Sequence, residues 1–100
     1  MVEIWLNVSL SKVDALRECI DLCSNGYRVM FVSQTQDSWF VKLRHCSNGN
    51  MISVVAFDSK YMISKNGKPT KTKEYAFDSH RYSLLVNSDN EKFYSYLLND

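Results

Sequence analysis

The chain has 100 residues, 45% hydrophobic and 23% charged, with twelve Lys or Arg against eleven Asp or Glu and a formal charge of +1. That length and balance suit one globular domain spanning 1–100 and argue against a disordered tail. Near-neutral charge removes the simple electrostatic case for a DNA binder or an acidic nucleic-acid mimic. No apolar run approaches the ~18–20 residues that a membrane helix needs, and Met1-Val2-Glu3-Ile4-Trp5 lacks the pattern of a signal peptide.

Residues 2–8 alternate, with Val2, Ile4, Leu6 and Val8 on one face and Glu3, Trp5 and Asn7 on the other, which predicts a half-buried strand. Ser11-Lys12-Val13-Asp14 reads as a capping box. Val13, Leu16, Ile20 and Cys23 then form an apolar stripe widened by Cys19, and Asn25-Gly26 supplies the stop. A helix is expected at about 12–24. Residues 27–33, Tyr27 to Ser33, read as a buried strand. Residues 38–46 read as an alternating strand, with Trp39, Val41 and Leu43 opposite Phe40, Lys42 and Arg44. Ser47-Asn48-Gly49 carries a hairpin signal, and Met51 to Phe57 is the return strand.

Beyond Asp58, strands are expected at 60–64, 70–77 and 81–86, with a turn at Lys65-Asn66-Gly67-Lys68-Pro69. Ser88-Asp89-Asn90-Glu91 reads as a second capping box, opening a short C-terminal helix on which Phe93, Tyr96 and Leu97 form a stripe. Two short echoes stand out: Cys-Ser-Asn-Gly at 23–26 and 46–49, and Ala-Phe-Asp-Ser at 56–59 and 76–79.

The expected fold class is α+β. A single two-layer domain places a mostly antiparallel sheet of five to seven strands against the helix at 12–24, with the short C-terminal helix added. The order strand, helix, meander resembles several small two-layer α/β folds, and such folds host unrelated functions.

Cys19, Cys23 and Cys46 are an odd number of thiols, expected to be free, which suits a reducing compartment such as the cytoplasm. Phe, Tyr, Met, Ile, Asn and Lys total 35 residues against 11 for Gly, Ala, Arg and Pro, a bias of AT-rich coding that is common in phages and other viruses. For a viral protein the compartment would be the host cytoplasm.

Cys19, Cys23, His45 and Cys46 have zinc-ligand chemistry but the wrong spacing, and His45 and Cys46 point to opposite faces of a strand; no metal and no cofactor are expected. His80, Asp58 and Asp78 fall at turns rather than in a nucleophile–base arrangement, and Gly26, Gly49 and Gly67 each sit at a turn rather than in a phosphate loop, so no catalytic residue is expected.

Two binding functions remain. Residues 60–73 hold Lys60, Lys65, Lys68, Lys71 and Lys73 and no acid, and the Phe40, Lys42, Arg44 face sets an aromatic beside two cations. Trp5 lies opposite the apolar face of the first strand, where it offers contact area with a polar handle. The leading expectation is a small non-enzymatic binding protein that meets an acidic protein surface through these nine residues. Its most concrete form is a viral or phage inhibitor or regulator of a larger cellular enzyme. On that expectation, charge reversal at Lys68 and Lys71 weakens binding. The alternative is a single-stranded nucleic-acid or RNA-binding module using the same residues, with affinity falling steeply with salt. Lysines on a hairpin are also a common guard against edge-to-edge pairing. Exposed edge strands are compatible with a homodimer as well as a monomer.

Overall fold

The structure is a computed structural model and describes residues 2–35, 38–76, 80–88 and 91–93. Among these residues seven strands and one long helix follow in the order β1 (Val2–Val8), α1 (Leu10–Ser24), β2 (Tyr27–Gln34), β3 (Trp39–His45), β4 (Met51–Ala56), β5 (Lys60–Lys65), β6 (Lys68–Glu74) and β7 (His80–Val86). β2 to β6 form an antiparallel sheet in sequence order, and β1 pairs antiparallel with β7 in a separate ribbon. The fold is α+β, as expected. The seven strands, however, divide into five and two, because β1 pairs with the last strand instead of joining the meander.

The period-two pattern of β3 sets the core. Trp39, Val41 and Leu43 are fully buried on one face, joined in register by Ile52, Val54 and Ala56 of β4 and by Tyr61 and Ile63 of β5. α1 lays Val13, Ala15, Leu16 and Cys19, all fully buried, into the same core. Val13 and Leu16 each contribute roughly 1.5–3 kcal/mol when removed from water. Leu84 of β7 and Phe93 complete the cluster.

α1 begins at Leu10, two residues before the expected start. Ser9 is the cap, with its Oγ accepting from the Lys12 amide at 3.4 Å, so the capping box expected at Ser11 and Asp14 is not the one that forms. Ser11 is buried against the sheet instead, where its hydroxyl donates to the carbonyls of Phe57 and Asp58. Asp14 accepts from Arg17 and from the Tyr75 hydroxyl, which ties the helix to the end of the sheet. The helix stops as the sequence predicts. The Asn25 amide donates to Leu22 and that of Gly26 to Cys23, with Gly26 at φ +94°.

β2 is not the buried strand expected at residues 27–33. It is an edge strand, and a bulge between Val29 and Phe31 leaves Met30 unpaired. Met30 and Phe31 are both more than half exposed, at 57% and 54%. β6, the opposite edge, is exposed at every residue and carries Lys68, Pro69, Lys71 and Lys73. It also starts at Lys68, before the strand expected from Thr70. The two-residue reversal falls at Asn66-Gly67, both at positive φ, whereas Cys46 to Asn50 make a longer connection between β3 and β4.

Residues 91–93 are helical, the first turn of the expected C-terminal helix. Tyr96 and Leu97, the second Ala-Phe-Asp-Ser copy beyond Ala76, and the Asp89-Asn90 part of the second capping box lie outside the described residues. No helix among the described residues is long and apolar enough to cross a membrane.

Two glycines separate conformational strain from steric clash. Gly67, at φ +84°, has open space where a Cβ would go. A Cβ on Gly26 would lie 2.8 Å from His45 Nε2. That ring is held, since it packs edge-on to Tyr27 at 4.9 Å and its Nδ1 accepts from the Ser47 and Asn48 amides. Gly67→Ala should therefore cost about 1–2 kcal/mol in urea unfolding, the backbone term alone. Gly26→Ala should cost clearly more, and the excess should shrink in a His45→Ala background.

Candidate functional site

The helix covers one face of the five-stranded sheet, and the alternation of β3 sends Phe40, Lys42 and Arg44 to the other, open face. Phe40 is half-buried there, while Lys42 and Arg44 are exposed. The register of β2 brings Arg28 opposite Arg44, Phe31 opposite Lys42 and Ser33 opposite Phe40. The Phe31 and Phe40 rings meet edge to face, with centroids 6.1 Å apart. Met51, Ser53 and Val55 of β4 continue the same face without a charge.

Opposed like charges on a sheet cost up to about 1 kcal/mol, and the Arg28–Arg44 pair has no acidic partner among the described residues. Two other cations are matched: Arg17 sits 2.9 Å from Asp14, and Lys71 sits 3.3 Å from Glu18. Arg28 and Arg44 line a shallow groove of about 490 Å³ with Met30, His45 and Cys46. The Arg44 guanidinium lies along the β3–β4 turn, close to Gly49, where a Cβ would approach it to 3.7 Å. A larger depression of about 710 Å³ opens between the end of α1, the start of β2 and Phe93, with Cys23 and Cys46 among its walls.

The structure separates the nine residues singled out in the sequence. Phe40, Lys42 and Arg44 share the open face. Lys71 and Lys73 lie opposite Ile63 and Tyr61, on the helix side, and are engaged within the molecule. The Lys71 ammonium stands 5.7 Å from the centre of the Tyr61 ring, and Lys73 stands 5.4 Å from that of Tyr75. Lys60 pairs in register with Glu74 and lies over Phe57. Lys65 and Lys68 flank the hairpin tip. Trp5 is 55% exposed on the ribbon, with the Arg81 guanidinium 5.2 Å above its ring, and that ribbon touches α1 rather than the open face.

Arg28, Met30 and Phe31 belong beside Phe40, Lys42 and Arg44 but carried no distinguishing sequence signal. The bulge breaks the alternation that would have placed them.

Titration follows packing. Burial first, then Cys23 and Glu18, push the Cys19 thiol far above its ordinary range, which suits an inert core residue. Burial also raises Cys23, opposed by the positive charge of Lys92. Hydrogen bonding to Tyr61 and then to Glu18 holds Lys71 in its charged form. Tyr75 is raised by burial and by its 2.7 Å bond to Asp14. No group of three or more His, Cys, Asp or Glu able to hold a metal occurs among the described residues. No family model, curated protein or solved structure matches the chain.

The raised Tyr75 hydroxyl has a consequence for stability. A folded-state pKa above the unfolded value leaves stability intact below pH 10, tyrosine's ordinary value, and erodes it as pH rises beyond. Tyr75→Phe should remove that component. Unfolding of the two proteins from pH 8 to 11 should show the variant losing less stability over the alkaline half.

Proposed function

We propose that this chain is a small non-enzymatic binding protein that acts by protein–protein contact through the β2–β3 side of its open sheet face. One observation carries the reading: Met30 and Phe31 stand exposed beside Arg28, Lys42 and Arg44, cations that no described acid neutralises. Aromatic, methionine and arginine side chains are the types enriched in protein interfaces. An acidic partner complements the charges, and apolar side chains of that partner would cover Met30 and Phe31. A regulator that inhibits or redirects a larger enzyme, such as a phage or other virus would encode, requires no more than such a face.

The geometry favours protein over single-stranded nucleic acid. Base stacking needs free ring faces, whereas Phe31 meets Phe40 edge-on and Phe40 is half-buried. The hairpin lysines that would track a phosphate backbone include Lys71 and Lys73, which already have internal partners.

The test is affinity capture from native lysate with and without nuclease, using wild type, Phe31→Asp and Lys68→Glu. The expected result is a discrete protein that survives nuclease, is lost with Phe31→Asp and is kept with Lys68→Glu. Loss only with Lys68→Glu would return the site to the hairpin. Nucleic acid recovered with every protein lost on digestion would replace this reading by the nucleic-acid one.

A further inference from the structure

The open face holds one feature more specific than a basic patch. Arg28 and Arg44 are cross-strand partners, so their Cβ atoms stand about 4.5–5.5 Å apart and their side chains rise from one spot on the sheet. Both line the 490 Å³ groove, and Met30 forms its apolar wall. Each guanidinium presents a planar fork of donors that matches a carboxylate bidentately. We infer that the Arg28–Arg44 pair is the seat for a carboxylate of an acidic peptide segment of the partner, with a neighbouring apolar side chain of that segment on Met30 and Phe31. This inference rests on the protein-binding reading and specifies what is bound and where.

Charge complementarity selects this occupant. The seat offers two cations with a third, Lys42, two pairs further along the same two strands, and no described acid faces them. The same strands carry the exposed apolar pair next to the cations. An extended segment with an acidic and an apolar residue two positions apart presents both on one side and therefore meets both features at once. A free oxyanion would use only the arginines, and a second copy of this chain would oppose cation to cation.

The experiment is a titration of the ¹⁵N-labelled full chain with a synthetic peptide of Glu-Ser-Leu-Ser repeats, which sets Glu and Leu on one side when extended, followed by amide chemical shifts. Inorganic phosphate and an oligouridylate serve as parallel probes. The expected result is saturable shifts confined to residues 28–31 and 42–46. Arg28→Gln and Arg44→Gln should each weaken the peptide by about tenfold, the worth of one charge-assisted hydrogen bond. Lys71→Gln should leave it unchanged. Arg28 and Arg44 are exposed, and a thermal melt confirms that each variant folds.

Peptide affinity unchanged in the Arg28→Gln/Arg44→Gln double variant, or saturable shifts elsewhere, would overturn the seat. So would the absence of saturable shifts. Saturation by phosphate without the peptide would assign the pair to a free oxyanion and overturn the peptide. Tighter binding of the oligouridylate than of the peptide would overturn both the seat and the protein-binding reading. Failure of the seat alone remains distinguishable, because the captured protein would still be lost with Phe31→Asp and retained by the double variant.

Discussion

A five-stranded antiparallel sheet has two faces, and this chain packs α1 on one of them. Trp39, Val41, Leu43, Ile52, Val54, Ala56, Tyr61 and Ile63 lie on the face that α1 covers. The strict alternation that buries those residues sends their neighbours to the other side. Phe40, Lys42 and Arg44 are therefore exposed or half-exposed as a direct consequence of how Trp39, Val41 and Leu43 are buried. A register slip of one residue would exchange the two sets and empty the core, so the composition of the open face is fixed as firmly as the core itself.

The two edges of the same sheet are treated differently. β6 ends it with Lys68, Pro69, Lys71 and Lys73, residues that oppose pairing with another strand. Two of those lysines also serve the fold, with Lys71 reaching Glu18 on the helix and Lys73 lying over Tyr75. An exposed ion pair of this kind contributes little, of the order of 0–1 kcal/mol, so its role is that of a guard more than a brace. β2 at the other edge has neither Lys nor Pro, and the bulge at Met30 is its only interruption. Of the two edges of this sheet, the β2–β3 side thus carries the exposed large apolar side chains, Met30 and Phe31, beside unmatched cations.

Much of this was legible in the residues. The alternation of 39–44, the helix stripe from Val13 to Cys23, the Asn25-Gly26 stop and the turn at Asn66-Gly67 each rest on local rules, and each stands in the structure. What escaped was non-local. Whether Ser9 or Ser11 caps the helix depends on Ser11 meeting the carbonyls of Phe57 and Asp58, more than forty residues away. The pairing of β1 with β7 joins opposite ends of the chain, which no window can see. The bulge in β2 hides from periodicity because it breaks the period, and with it went Arg28 and Phe31. A tally of five lysines between 60 and 73 likewise could not show that some face Glu18, Glu74 and aromatic rings.

The two copies of Cys-Ser-Asn-Gly explain why the arginine pair has a defined spacing. Each copy makes a reversal with a glycine at positive φ, one closing α1 and one joining β3 to β4. They meet in space, where the Cys46 amide donates to the Gly26 carbonyl at 3.0 Å. His45 fills the angle between them, edge-on to Tyr27 and accepting from Ser47 and Asn48. Arg28 follows Gly26 by two residues, and Arg44 immediately precedes His45. Both cations thus leave the backbone from strand ends pinned by the same clamp, so the repulsion between them cannot be relieved by the strands drifting apart. A site held on rigid elements loses less freedom on binding than one on a loop. In this chain the rigidity comes from contacts that the fold already needs to turn the chain out of α1 and into the sheet.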